Sequence, residues 1–220
     1  MKMIVIGGSA GSMEPILTIL GDLPAQLDAA VLILRHSSPL RAVRPGSAND
    51  ALLAKILAPR SRLPVCEVTH GMPVLPGTVY VAPSGTHVIV SEPDDRERRV
   101  GGARARFELH PSASVGKGRP SIDLGFASAA EVFGPDCIGV VLSGLLDDGT
   151  EGAQELFLEH GTMIVQAPGD ADQASMPNNV IRRDHPDYIL PDVAIGQTLV
   201  NLVQGVPAGG ELALGRRAVR

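Results

Sequence analysis

The sequence predicts an α/β protein with a doubly wound, mostly parallel sheet, helices on both faces and an antiparallel β-hairpin. Short apolar runs rich in β-branched residues recur along the chain, which is how strands buried on both faces read. Amphipathic helical patterns lie between these runs, and alternating strands and helices indicate a parallel sheet. The 25 glycines and 18 prolines imply many tight connections between short elements.

Each predicted strand is bounded by glycine, proline or polar residues. In chain order the strands are Met3–Ile6, Ala30–Leu34, Val79–Val81, Val88–Val90, Cys137–Leu142 and Thr162–Val165. The predicted helices are Met13–Leu20, Asn49–Leu57, Ser121–Phe133, Glu151–His160 and Met176–Arg183. Pro120, ahead of Ser121 and Asp123, is a helix start signal because proline suits a first helical turn.

One segment departs from the strand–helix alternation. Val88–Val90 and Arg104–Leu109 flank the charged stretch SEPDDRERRVGGA, which predicts a hairpin with a solvated tip. The glycine-rich stretch after Val206 predicts a frayed tail. We therefore expect one domain over residues 1–205 and a flexible tail over 206–220.

Composition narrows the class of protein. A chain of 220 residues buries roughly 70% of its unfolded surface, so its core needs no disulfide or metal. The net charge of −5 argues against nucleic acid or an anionic membrane as the main partner. Cys66 and Cys137 lie far apart and predict buried thiols in a reducing compartment. Without a signal peptide or an apolar run long enough to span a bilayer, the chain is expected to be cytoplasmic.

The turn after the first strand carries the first chemical signal. Gly7-Gly8-Ser9-Ala10-Gly11 would lie at the carboxyl end of that strand, where doubly wound sheets collect ligands and catalytic groups. Its glycine spacing does not match the dinucleotide or P-loop motifs, which disfavours a nucleotide site. The stretch does match G-x-S-x-G, in which a serine is held as a nucleophile on a sharp turn. A serine in a glycine turn is, however, more often a helix cap.

A serine nucleophile needs a histidine base and an acid to orient it. His36 directly follows the second strand, so it should reach the same sheet edge as Ser9. Asp147 and Asp148 follow the strand Cys137–Leu142 and should end there too. The remaining histidines fit surface or hydrogen-bonded roles better. An α/β-hydrolase, whose histidine follows its acid in the chain, would need His160 or His185 as base, and neither position suits it.

Six motifs follow one another along the chain: IGGSAGS at 6–12, RHSSP at 35–39, VLPGTVYVAP at 74–83, GRPSIDLGF at 118–126, LSGLLDDG at 142–149 and QASMPNNVI at 173–181. As an ordered set they resemble the catalytic domain of CheB-type chemotaxis protein-glutamate methylesterases. IGGSAGS is similar to that family's opening I-G-A-S-T-G-G, and RHSSP to its Q-H-M-P. The resemblance runs from Met3 to about Val203.

The resemblance implies Ser9 as nucleophile, His36 as general base and Asp148, rather than Asp147, as the orienting acid. It also implies an oxyanion and substrate pocket that includes Ala10, Leu145, Arg119 and Met176, and no cofactor or metal. The expected reaction is hydrolysis of glutamate methyl esters on the helical bundle of a chemoreceptor, with deamidation of glutamines as a related activity.

Departures from the family pattern fall in the catalytic loops. Ala10 and Ser12 replace threonine and glycine, and Leu145-Leu146 replaces methionine-glycine. Leu146 would alter the turn if that position needs a positive φ. An alternative function is therefore a catalytically weak domain that binds a receptor or signalling partner. The family usually carries a phosphorylation-receiver domain, which this sequence does not contain. The expectation is therefore either a stand-alone esterase or one domain of a longer protein, with any receiver domain on another chain or on a missing part of this one.

Overall fold

The computed structural model describes residues 1–36, 52–93, 103–111, 118–183 and 186–206. The strands of its main sheet are β1 (Lys2–Gly8), β2 (Ala29–Arg35), β3 (Val65–Glu67), β4 (Thr78–Val81), β7 (Cys137–Val141), β8 (Thr162–Gln166) and β9 (Tyr188–Leu190). These seven strands lie in the order β3-β4-β2-β1-β7-β8-β9, and every neighbouring pair is parallel. The predicted parallel α/β sheet is confirmed.

The predicted hairpin forms a small sheet of its own. β5 (His87–Ser91) pairs antiparallel with β6 (Arg106–His110), with His87 opposite His110. The charged tip predicted between them lies mostly at residues 94–102, outside the described residues. β5 packs against the long helix that follows β6, because Val88, Val90 and Phe107 share one apolar cluster with that helix.

The helices of the described residues cover both faces of the main sheet. They are α1 (Met13–Asp22), α2 (Leu52–Leu57), α3 (Ile122–Phe133), α4 (Thr150–Leu158), α5 (Ser175–Arg183) and α6 (Asp192–Gln204). Side chains of β1 alternate between the faces: Met3 and Val5 join the cluster that includes α3, α4 and α5. Ile4 and Ile6 join the opposite cluster, which includes α1, α2 and α6. Burial on both faces explains why the strands read as continuous apolar runs.

Several predicted bounds change. Strands β3 and β9 and helix α6 were not predicted from the sequence. Ser121 is the N-cap of α3 and its side chain accepts a hydrogen bond from Leu124 N, so Pro120 lies before the helix rather than in its first turn. The start predicted for α2 at Asn49, like the tail at 207–220, falls outside the described residues. Cys137 is buried as predicted, whereas Cys66 is only partly buried.

Within the described part of the chain, no helix combines the length and the apolar character needed to cross a membrane. The order β2-β1-β7 at the centre of the sheet decides where the loops of interest meet. Since these three strands are parallel neighbours, the segments that follow them emerge side by side at one edge.

Candidate active site

Three loops converge at the carboxyl ends of β1, β2 and β7. Gly8, the last residue of β1, pairs with Arg35, the last residue of β2, and the backbone N–H of His36 donates to Gly8 O at 3.1 Å. Ser9 N donates to Ser143 O at 3.0 Å, which joins the loop after β1 to the loop after β7. Ser9, His36 and the β7 loop are therefore held together by backbone hydrogen bonds.

The loop after β1, residues 9–12, is fixed by its own small residues. Ser12 is buried and its Oγ donates to Ser9 O at 2.7 Å. A Cβ at Gly8 would lie 2.5 Å from Ser12 Cβ, so a larger residue at position 8 would displace the loop. Gly11 has φ +80°, which favours glycine. The Ser9 side chain is consequently presented on a tightly constrained turn.

His36 and Asp148 form a short hydrogen bond. His36 Nε2 lies 2.6 Å from Asp148 Oδ2, and the two side chains are 15% and 1% exposed. A Cβ at Gly118 would collide with the Nε2, Cε1 and Cδ2 atoms of His36, so the backbone before α3 packs directly on the imidazole. This close packing limits the orientation of the ring.

The Asp148 carboxylate is satisfied by several donors. Its Oδ2 accepts from Ile122 N at 2.9 Å as well as from His36. Its Oδ1 accepts from Asp123 N and from Gly149 N, each at 3.1 Å. Burial would raise the pKa of Asp148, but the hydrogen bonds from His36 and from the backbone N–H of Ile122 and Asp123 hold it below its usual value. Asp148 is thus a buried carboxylate that stays ionised at neutral pH.

A second carboxylate stands beside it. Asp123 Oδ1 accepts from Gly149 N and Gly152 N, each at 2.8 Å, at the start of α4. Burial, together with the negative charge of Asp148, raises the pKa of Asp123 to about 7. Sequence reasoning used Asp123 only as part of a motif and as a helix start signal, so its contact with the acid loop was missed.

The loop after β7, residues 143–149, is tied down by Ser143. Its Oγ donates to Ala10 O at 2.8 Å and accepts from Gln173 N at 2.9 Å, while Ser143 N donates to the Gln166 side chain. This buried serine links the loops after β1 and β7 to the segment before α5. It was also missed, because a serine that follows a strand carries no distinctive sequence signal.

Gly144, in the same loop, lies between Ser9 and Met176 and has no room for a side chain. A Cβ at this position would lie 3.0 Å from Ser9 Cβ and would collide with Met176 Sδ. Met176 itself is fully buried, and its N–H donates to Gly144 O at 3.0 Å. The predicted pocket residue Met176 therefore packs beneath the β7 loop.

The tip of the same loop is exposed and apolar. Leu145 and Leu146 are 51% and 63% exposed, and Leu146 has φ +69°. The position does require the left-handed conformation, and leucine adopts it there. Leu146 O accepts hydrogen bonds from Asn179 Nδ2 at 2.7 Å and from Ser175 Oγ at 3.1 Å, which hold the strained turn against α5.

The structure brings some predicted residues together and leaves one contact open. Ser9 and His36 are adjacent through their backbones, but between these two described residues there is no hydrogen bond from Ser9 Oγ to the imidazole. Ala10 is exposed at the rim, as is Arg119, which follows Gly118. Asp147 lies one residue before Asp148 and is half-buried.

The other described histidines are elsewhere. His87 Nδ1 accepts from Ser121 N, and His70 Nδ1 accepts from Leu109 N. His110 contacts Glu108, and His160, with φ +63°, follows the C-cap of α4. His185 lies outside the described residues. Among the described histidines, only His36 therefore stands beside Ser9.

Comparison with known proteins is consistent with this arrangement. The model of the CheB methylesterase family matches residues 4–199. The chain belongs to the CheB methylesterase family. The solved CheB methylesterase catalytic domain of Thermotoga maritima has the same fold, with a TM-score of 0.80 and 30% identity over 91% of this chain and 98% of that one.

Curated relatives of the CheB family extend the comparison. A protein-glutamate methylesterase/protein-glutamine glutaminase of Thermotoga maritima is 31% identical over 92% of this chain and 54% of its own length. The methylesterase FrzG of Myxococcus xanthus is 31% identical over 91% and 54%, respectively. A protein of Leptospira interrogans called a putative member of the same class is 32% identical over 92% of this chain and 95% of its own length. The chain thus spans about half the length of most of these relatives.

Proposed function

We propose that this protein hydrolyses glutamate methyl esters on a receptor protein, with Ser9 as nucleophile, His36 as general base and Asp148 as orienting acid. The observation that carries the proposal is the 2.6 Å hydrogen bond between His36 Nε2 and Asp148 Oδ2. These two residues follow β2 and β7, the neighbours of β1, and Ser9 follows β1. A buried, ionised acid bonded to a histidine beside a serine on a tight turn fits nucleophilic acyl transfer.

The hydrogen bond fixes the role of each imidazole nitrogen in the proposed reaction. Because Nε2–H donates to Asp148, Nδ1 is the nitrogen that accepts the proton of Ser9 Oγ. Ser9 Oγ then bonds to the ester carbonyl carbon, and the protonated Nδ1 returns its proton to the departing methoxide, which leaves as methanol. Water hydrolyses the acyl-enzyme by the same steps. The Ser9–His36 contact needed here is of a kind that often tightens only when substrate binds.

The negative oxygen formed in these steps needs donors. We assign this role to the backbone N–H groups of Ala10 and Leu145, one from each loop beside Ser9. Within the described part of the chain neither group donates a hydrogen bond to another residue, so both are available to an oxyanion. Removing one such donor typically costs about 100- to 1,000-fold in kcat. Met176 supports the second donor through its packing on Gly144.

The proposed substrate is a receptor segment rather than a free ester. The relatives' names specify protein-bound glutamate, and in most of them also protein-bound glutamine, whose amide would be attacked by the same serine. Arg119, exposed beside the packed imidazole, would contact acidic side chains around the target glutamate. A receiver domain remains a proposed partner, either in the longer protein or on a separate chain.

Methanol release from a methylated receptor tests the proposal. Ser9→Ala should reduce kcat by about 10⁶-fold, as loss of the nucleophile does in a working triad. Ser91→Ala, on the β5–β6 hairpin, is the matched control and should release methanol at the wild-type rate. Equal rates in Ser9→Ala and wild type would reject Ser9 as the nucleophile.

A fluorophosphonate probe separates the enzyme from a catalytically weak binding module. The enzyme should be labelled at Ser9, and labelling should disappear in His36→Ala because the serine loses its base. A protein that binds the receptor but is not labelled would instead support the binding-module alternative.

A further inference from the structure

Asp123 and Asp148 each accept backbone hydrogen bonds at the start of the helix to which the other belongs or leads. We call this reciprocal arrangement the carboxylate clasp. Asp123 is in the first turn of α3, and its Oδ1 accepts two backbone donors at the start of α4, Gly149 N and Gly152 N at 2.8 Å. Asp148 precedes α4, and it accepts two backbone donors at the start of α3, Ile122 N at 2.9 Å and Asp123 N at 3.1 Å. The first N–H groups of a helix have no partner within the helix, so each carboxylate fills the other helix's need.

The clasp determines where Asp148 points. Its Oδ1 is turned towards Asp123 N and Gly149 N, while Oδ2 is shared between Ile122 N and His36 Nε2. Gly149 N is itself bonded to Asp123 Oδ1, so the residue directly after Asp148 is anchored to α3. Any movement of Asp123 would therefore move the backbone that carries Asp148.

Stability alone does not account for this arrangement. Two carboxylates that accept hydrogen bonds from the same N–H group repel each other, and both are largely removed from water. A single serine or asparagine would cap α4 without that repulsion.

We infer that Asp123 is a positioning residue, an inference that rests on the proposed function. By its hydrogen bonds to the start of α4, Asp123 fixes the Asp148 carboxylate. Asp148 in turn fixes the imidazole of His36. The Asp123 carboxylate itself does not reach the substrate. The requirement is geometric, because what Asp123 supplies is an oxygen at a fixed distance from Gly149 N and Gly152 N.

The geometric requirement distinguishes three variants. Asp123→Asn keeps an acceptor oxygen at the same place and should keep the triad intact. Asp123→Glu keeps the carboxylate but moves its oxygens by one methylene group, and Asp123→Ala removes the acceptor. We expect both to lower the rate of fluorophosphonate labelling at Ser9, up to about 100-fold, the loss that a misplacement of about 1 Å can cause.

Asp187→Ala is the matched control. Its carboxylate also accepts a backbone N–H, from Met163 at 2.9 Å near the start of β8, at the opposite end of the sheet. A general loss of stability on removing such an acceptor should appear in both alanine variants, whereas only Asp123→Ala should disturb the site.

Proton NMR on the full chain reads the His36–Asp148 hydrogen bond directly. A short N–H to carboxylate bond should give a strongly downfield imidazole resonance, assigned by its disappearance in His36→Gln. We expect this resonance in wild type, Asp123→Asn and Asp187→Ala, and its loss or marked shift in Asp123→Glu and Asp123→Ala. If Asp123→Ala does not fold, the comparison of Asp123→Asn with Asp123→Glu decides the question.

An unchanged resonance and unchanged labelling in Asp123→Glu would overturn the inference, as would equal effects of Asp123→Ala and Asp187→Ala. Because the resonance does not depend on turnover, it tests the positioning role separately from the proposed reaction. A wild-type protein that is never labelled at Ser9 would reject the proposed function, while loss of the resonance in Asp123→Glu but not in Asp123→Asn would still support the positioning role of Asp123.

Discussion

Leu146 has a backbone conformation that favours glycine. A non-glycine residue in the left-handed region costs on the order of 1–3 kcal/mol, and at 63% exposure its side chain recovers little by packing. The two hydrogen bonds that Leu146 O accepts from α5 hold the turn in place. The sequence raised the question whether this position needs a positive φ, and only the backbone geometry answers it.

Leu146→Gly should therefore stabilise the protein. Relief of the strain exceeds the entropy that glycine loses on folding, about 0.5–1 kcal/mol, so the free energy of unfolding should rise by up to about 1 kcal/mol. Urea unfolding followed by circular dichroism measures the change.

Leu158→Gly is the control for that experiment. Leu158 is also 63% exposed but has ordinary helical geometry as the last residue of α4, so glycine there should lower the free energy of unfolding by up to about 1 kcal/mol, the cost of glycine in a helix interior. The two substitutions should thus have opposite signs. Destabilisation by both would mean that the leucine at 146 stabilises the loop through contacts outside its own backbone.

At the scale of elements, α3 and α4 meet where glycine allows their backbones to approach. A Cβ at Gly152 would lie 2.6 Å from Asp123 O and 2.8 Å from Asp123 Cα, so the contact involves backbone rather than a flexible side chain. The carboxylate clasp spans the same interface. Close helix packing and the orientation of Asp148 therefore depend on the same glycine.

Gly152→Ala should force the two helices apart. Overpacking of this kind typically costs about 1–3 kcal/mol, and we expect the labelling of Ser9 to fall along with the free energy of unfolding. Gly21→Ala, in α1, is the control, since a Cβ at Gly21 would lie 4.0 Å from Arg60 O, the nearest described atom outside α1. Alanine there should stabilise the helix by about 0.5–1 kcal/mol. A stable, fully labelled Gly152→Ala protein would contradict this account of the interface.

Elements that were predicted and elements that were missed differ in their burial. The central strands β1, β2 and β7 are buried along most or all of their length and read as unbroken apolar runs, which placed Ser9, His36 and Asp148 at one edge. The edge strands β3 and β9 have three residues each and are only partly buried, too short for a periodic signal. Helix α6 contains Gly196, which fits closely against Asp22 of α1, a contact that sequence reasoning could not foresee.

At the scale of the whole molecule, the two clasp carboxylates give the free energy of unfolding opposite dependences on pH. The pKa of Asp148 is lowered by folding, so its contribution is present above the unfolded pKa of about 3.9 and is lost as the pH falls below it. The pKa of Asp123 is raised to about 7, so its contribution is full below about pH 4 and is lost as the pH rises towards 7. The free energy of unfolding therefore decreases with rising pH between about pH 4 and pH 7, because the native state binds more protons there than the unfolded state.

We therefore expect Asp123→Asn to change the pH profile of folding. The amide resembles the protonated acid at every pH, so the variant should gain stability relative to wild type between pH 5 and pH 8. Urea unfolding at several pH values in this range measures the difference. Parallel profiles for the two proteins would show that Asp123 carries no raised pKa in the folded state.

The strand order also has a kinetic consequence. His36 and Asp148 are separated by 112 positions in the chain, yet they follow β2 and β7, the two strands that pair with β1 on either side. Contacts of such long range form slowly, because the entropy of closing a large loop is lost before the contact contributes any favourable free energy. During synthesis Ser9 and His36 emerge well before Asp148, so the three residues of the proposed triad meet only after β7 has docked. The proposed hydrolysis therefore requires the entire centre of the sheet to be assembled first.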